Sequence, residues 1–145
     1  MEITNYYLKS EAILALILSL ILLAIALLHF YWMLGGKWGF NHSLPSQPNG
    51  EYLFTPGKLA TGVVGLALVG MVYFIFLRLQ NPSSSNWIFK YGLYFLGGIF
   101  TLRAIGDFKY VGFFKKIKGT PFSKNDTSFY SPLCLLIGIL FFMIG

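Results

Sequence analysis

Apolar residues in this chain do not alternate with polar ones; they come in unbroken blocks. Ala12 to Leu34 is a block of 23 residues without a formal charge, and Leu59 to Leu77 is one of 19. A hydrocarbon core of about 30 Å is crossed by about 20 residues of helix, so each block predicts one membrane-spanning helix. Two shorter blocks follow, Tyr91 to Leu102 with 12 residues and Pro132 to Gly145 with 14. Lys90 and Arg103 can lay their apolar stems along a helix and reach the headgroups, which lengthens the third block. Phe129 and Tyr130 extend the fourth. The expected fold is all-α, a four-helix transmembrane bundle in one domain over residues 1–145, with helices at approximately 11–34, 58–79, 87–106 and 130–145. Two spans plus a re-entrant pair is the alternative, because short apolar runs can also be re-entrant.

Boundary signals agree with this division. Ser10 can cap the first helix and Glu11 complements its positive end. Gly35-Gly36 is a stop signal. The following loop, NHSLPSQPNGEYLFTPG, is rich in turn formers. NPSSSN at 81–86 reads as a short turn. Thr61 and Gly65 make a small-residue face on the second helix, and Gly97, Gly98 and Thr101 make another on the third; such faces let helices approach closely. Ser131-Pro132 reads as the start of the fourth helix. The first block is too long for a signal peptide and lacks a small-residue cleavage site, so the whole chain is expected to be mature protein.

Composition excludes a soluble domain. The chain is 56% hydrophobic and 11% charged, against about 25% charged in soluble domains. The net charge of +6 is an orientation signal here, not a nucleic-acid signal. In a four-span layout one side collects Lys9, Arg78 and Lys90, and the other the remaining 8 of the 11 basic residues. Basic loops favour the cytoplasm. Both termini are therefore expected on the non-cytoplasmic side, with the 35–57 and 107–130 loops inside. A single cysteine, Cys134, excludes an intrachain disulfide. No zinc signature, phosphate loop or dinucleotide fingerprint occurs, so neither metal nor cofactor is expected.

The unusual side chains fall at one depth. His29 and Arg103 each lie about 5–8 Å from the inner end of their helices. Asp107 follows Arg103 by one helical turn, where the two could pair; Arg103 could equally snorkel, or hold a ligand. A carboxylate at a helix C-terminus opposes the dipole, so Asp107 needs a partner or a role. Cys134 enters the same layer, with Asp126 and Tyr130 just above it. His29, Asp107 and Cys134 are the catalytic candidates: imidazole exchanges protons near neutral pH, and a thiol at a helix N-terminus can act as a nucleophile beside a histidine. A small buried cysteine and a belt of Tyr31, Trp32 and His29 are the structural readings of the same residues. In DFKYVGFFKKIKGTPFSK, the spacing of Phe108, Val111, Phe114 and Ile117 predicts a short amphipathic stretch lying in the interface, lysines toward lipid phosphates.

Three segments carry a family resemblance: HFYWMLGGKWG at 29–39, LRAIGDFKYVGFFK at 102–115, and TPFSKNDTSFYSPLC at 120–134. The chain resembles a family of small bacterial four-helix membrane proteins that bears only a domain-of-unknown-function name. The matching positions are His29, Trp32, Gly35, Gly36, Trp38, Arg103, Gly106, Asp107, Asp126, Thr127, Ser131 and Pro132. The resemblance implies a multi-pass protein of the bacterial cytoplasmic membrane and implies no activity.

These readings converge on a binding protein or enzyme with a polar pocket at the cytoplasmic interface. Its expected ligand-binding residues are His29, Trp32, Trp38, Arg103, Asp107, Asp126 and Tyr130. Arg103 and nearby lysines suit an anionic head group, and Trp32 and Trp38 an apolar body, as in a lipid, isoprenoid or quinone-like molecule. The expected partners are membrane lipids and such an amphipathic ligand. The alternative is an accessory subunit that packs through its glycine faces as a homodimer or within a larger membrane complex. A small transporter is disfavoured, because no acidic residue lies mid-membrane to couple ions.

Overall fold

The computed structural model describes residues 2–81 and 87–145, with side chains described from Lys9 onward. The turn expected at 81–86 lies, beyond Asn81, outside the described residues. Helix α1 runs over Glu2–Met33, a one-turn α2 over Phe40–Ser43, α3 over Lys58–Gln80 and α4 over Trp87–Ile105. A fourth rod is continuous from α5 (Pro121–Asn125) through a π-helical turn (Asp126–Tyr130) into α6 (Ser131–Ile144). No β-strand occurs among the described residues; Ser46 and Tyr52 form an isolated bridge.

Four segments are long and apolar enough to cross a membrane: Lys9–Met33, Lys58–Gln80, Trp87–Ile105 and Pro121–Ile144. The protein is thus an all-α, multi-pass membrane bundle. The fourth span is longer than the sequence suggests. Ser131 is not its cap: the Ser131 N–H donates to the Asp126 carbonyl inside the π turn. The rod starts instead at Thr120, whose hydroxyl oxygen accepts from Ser123 N–H at 3.0 Å, with Pro121 in the first turn. Its 24 residues extend about 36 Å at the α-helical rise, enough to cross. The first helix likewise runs through Ser10 from Glu2, so Ser10 is interior to it. Gly35-Gly36 ends α1 as expected: Gly35 takes φ +100°, and Gly36 and Gly35 donate to the Tyr31 and Trp32 carbonyls, a Schellman pattern.

The helices pair as α1 with α3 and α4 with α6, and the two pairs meet through α1 and α6. On α1 the fully buried positions are Ala15, Leu18, Leu22 and Ala26, a three-and-four spacing that keeps one stripe inward. Leu68, Ile75, Leu93, Ile137 and Phe141 complete the core. Outward positions such as Leu16, Leu27, Leu66, Phe95 and Leu102 are exposed. A helix apolar on every side suits lipid contact. The small-residue faces serve internal packing. A Cβ on Gly65 would strike the Phe30 ring, and one on Gly62 the Met33 sulfur. Gly97 and Gly138 cross back to back: a Cβ on either would lie 3.1 Å from the carbonyl oxygen of the other, and one on Gly138 would also strike the Thr101 hydroxyl. Gly98 faces open space.

The crossing predicts an asymmetry between neighbouring glycines. Gly138→Leu would force α4 from α6 and should cost about 1–3 kcal/mol; Gly98→Leu should stay within about 0.5 kcal/mol of wild type. Reversible unfolding in mixed micelles checks both. Equal losses at the two positions would contradict the crossing as the close contact.

Candidate functional site

The charged residues gather where α4 ends and the fourth rod begins. Helix α4 stops because Gly106 takes φ +90° and donates to the Leu102 carbonyl at 2.8 Å. The chain then closes a tight loop: Asp107 N–H reaches the Val111 carbonyl at 3.2 Å and Phe113 N–H the Ala104 carbonyl at 2.9 Å. Gly112, at φ +88°, lies so close that a Cβ would collide with the Ile105 carbonyl, as one on Gly106 would with that of Val111. Only glycine fits at either position.

Asp107 is therefore off the helix, and its pairing with Arg103, one of the readings left open by the sequence, does not form. Its Oδ1 accepts instead from the N–H groups of Lys109, Tyr110 and Val111 at 2.9, 2.7 and 2.9 Å. Slight burial raises its pKa, but the hydrogen bonds from Val111, Tyr110 and Lys109 and its own N–H outweigh that and hold the carboxyl below its usual value.

Arg103 pairs with Asp126. Its Nη2 donates to Asp126 Oδ1 at 3.0 Å. Oδ2 accepts from Gly112 N–H at 2.7 Å and from Lys115 Nζ at 3.0 Å. Lys115 is only 3% exposed. Its ammonium also donates to the Gly112 carbonyl at 2.9 Å and to Thr127 Oγ1 at 2.6 Å, which uses all three of its protons. Thr127 passes the chain on to the Ser123 carbonyl at 3.0 Å. Asp126 is fully buried. Two cations thus share one carboxylate, and Arg103 Nη1 and Ser131 Oγ are buried with no hydrogen-bond partner.

The amphipathic stretch expected over 108–118 is not a helix but this loop, and Lys115 points inward to Asp126, not to lipid. Cys134 is half-buried in α6. The free helix end that would activate it does not exist, because the π turn runs directly into α6. His29 lies on α1, with Nδ1 2.8 Å from the Ile25 carbonyl and its ring edge-on to Trp32 at 5.2 Å. Trp32 Nε1 donates to the Trp38 carbonyl at 2.8 Å and its ring meets Phe40 at 5.7 Å. Trp38 is 75% exposed. Tyr130 packs against Phe122 and Phe129. Among the described residues, no group of three His, Cys, Asp or Glu could hold a metal ion.

A cleft built by loops includes the 118–121 segment that follows Lys115. It measures about 490 Å³ and is lined by residues of the 41–52 segment and by Lys118 to Pro121. Asn41 and His42 of α2 and Lys118 are among its lining residues. None of the residues expected to bind a ligand lines it. Phe40, however, joins the cleft wall directly to the His29–Trp32 aromatic shelf. Lys115 and His42 escaped sequence reasoning. Lys115 had one signal: Asp126 is one of only three acids, with Glu51 and Asp107, among the eight basic residues on that side, and a buried acid must find partners.

Four spanning helices capped at one end by a buried ion network define a polytopic membrane protein. A family model described as "Protein of unknown function (DUF3995)" matches residues 22–141, and the chain belongs to that family. The matched stretch contains the whole network and the cleft. No curated protein and no solved structure matches the chain.

Removing Asp126 should cost more than removing either cation. Asp126→Ala leaves the buried Lys115 ammonium uncompensated and takes the partner from half-buried Arg103, at about 3–5 kcal/mol. Lys115→Met leaves Asp126 with Arg103 and Gly112 N–H and should cost less. Unfolding in mixed micelles ranks them, and the reverse order would remove Asp126 from the centre of the network. Asp107 predicts a pH effect. A carboxyl depressed in the folded state stabilises the loop above its unfolded value of about 3.9, and that contribution disappears as pH falls through the lower folded value. Amide resonances of Lys109, Tyr110 and Val111 should therefore shift together below that pH and stay constant above about pH 5.

Proposed function

We propose that this protein is a binding protein of the bacterial cytoplasmic membrane, taking an anionic amphipathic small molecule such as a lipid or isoprenoid at its loop-bearing end. The observation that carries the reading is the cleft between the two loops, with His42 and Lys118 among its lining residues. Its size falls within the range of small-molecule sites, roughly 300–1,000 Å³. The head group sits between Lys118 and His42. The apolar body lies along Trp32 and Trp38, which the Trp32–Trp38 hydrogen bond and the Phe40 contact hold beside the cleft. Arg103, Asp107, Asp126 and Tyr130 act behind this surface, fixing the loop that supplies Lys118. The excess cation of the Arg103–Lys115–Asp126 group adds positive potential at that end. The asymmetry of basic residues supports placing this end in the cytoplasm and both termini outside.

A second reading has its own observation. Between α3 and α4 lies a lateral groove of about 330 Å³, and a Cβ on Gly70 within it would meet nothing. A helix of a larger complex could seat there, which would make the protein an accessory subunit.

Native mass spectrometry of protein extracted in mild detergent separates the two. An anionic amphiphile should remain on the wild type and fall at least about tenfold in occupancy in His42→Ala/Lys118→Ala, a loss of about 1.4 kcal/mol. A folded wild type carrying only bulk lipid, unchanged in the variant, would overturn the binding reading in favour of the accessory subunit.

A further inference from the structure

The cleft does not account for the outer face of the 107–119 loop. Phe108 is the single non-glycine residue with positive φ among those described, at 61°. A left-handed conformation is unfavourable for a bulky side chain, and glycine is the residue that adopts it freely. Burial does not compensate for it here. The Phe108 ring is 58% exposed, and its ring contact is with Phe114, itself 64% exposed, at 6.3 Å between centroids. The backbone that holds this posture is overdetermined: Asp107 accepts three amides, Gly106 and Gly112 lock the loop base, and Lys115 is anchored on Asp126. A strained residue fixed by rigid surroundings calls for a role outside the fold.

Position and charge say what the ring meets. Phe108 lies three residues beyond the end of a membrane span at Ile105, and the next span begins at Pro121, so the loop is held at the bilayer edge from both sides. From Phe108 to Asn125 there is no acidic residue, while Lys109, Lys116, Lys118 and Lys124 are exposed. Phenylalanine is among the apolar residues that interfacial segments bury at the headgroup/acyl boundary, and lysines beside them are drawn to anionic lipid.

We propose that Phe108 and Phe114 form a preset wedge that docks into the anionic headgroup layer of the surrounding bilayer, with Lys109 and Lys116 contacting lipid phosphates. This surface is separate from the cleft, and its partner is the lipid surface itself, not a bound molecule. It makes the protein sensitive to the anionic lipid content of its membrane.

The test compares unfolding of the full chain in discs of neutral phosphatidylcholine with discs containing phosphatidylglycerol. Phe108→Gly relieves the left-handed strain, so in neutral discs it should match or exceed wild type, by roughly fivefold in the folded-to-unfolded ratio. Wild type should gain stability from phosphatidylglycerol, and Phe108→Gly should gain less. Lys109→Gln/Lys116→Gln should reduce that gain roughly tenfold, and high salt should abolish it in wild type. Two results would overturn the wedge: Phe108→Gly losing equally in both lipids, which makes the ring an ordinary packing residue, or the same gain in every variant. Stabilisation that depends on protein concentration and not on phosphatidylglycerol would assign the face to a second copy and also sink the proposal.

Discussion

The carboxylate of Asp126 organises one whole end of this molecule. It is fully buried, and an ion without water is tolerable only when its lone pairs are engaged by charged or polar donors. Those donors come from separate parts of the chain: Arg103 from α4, Gly112 and Lys115 from the loop. One side chain therefore fixes the C-terminus of a helix, the path of a loop and the start of the last span together. The cleft inherits its shape from this point, because Lys118 to Pro121 are strung between anchored Lys115 and Asp126. Among the described residues the opposite end of the bundle shows no comparable device; there Arg78 and Glu11 approach only to 3.9 Å.

The bundle itself was largely legible from the chain, for a simple reason. Crossing a bilayer demands apolar blocks of a fixed length, and nothing else in a sequence resembles them. The stop at Gly35 and the packing faces at Gly65 and Gly97 were readable too, since glycine has few other uses there. The start of the fourth span was not. Asp126 and Thr127 make 121–130 look like a loop, because polarity in a sequence signals solvent unless the partners are known, and Lys115 and Arg103 are distant in sequence. The Thr120-Pro121 pair carried the same start signal as Ser131-Pro132 and was overshadowed by it.

The site was legible in its ingredients and not in its connections. His29 and Arg103 were placed at one depth by counting residues along helices, with Asp126 just above them. Of the three readings left open for Arg103, pairing with Asp107 does not hold, because four-residue spacing lasts only while a helix does, and this helix ends at Ile105. Nothing in the run FFKKIK distinguishes Lys115, turned inward, from Lys116, turned outward. That choice belongs to the loop closure made by Gly106 and Gly112, a backbone contact no periodicity encodes. His42 was passed over because it lies in a stretch whose turn formers conceal a wall of the cleft.

Chain order gives the Asp126 network a consequence for biogenesis. Synthesis runs from the N-terminus, so Arg103 and Lys115 both emerge before the acid that neutralises them. Arg103 sits within a span of only 19 residues, the shortest of the four. Until Asp126 follows, that span carries an unpaired cation at its edge and lacks its packing partner. The third span can therefore reach its final packed and paired position only once the fourth has arrived. The last rod acts as the latch that seats its predecessor in the membrane.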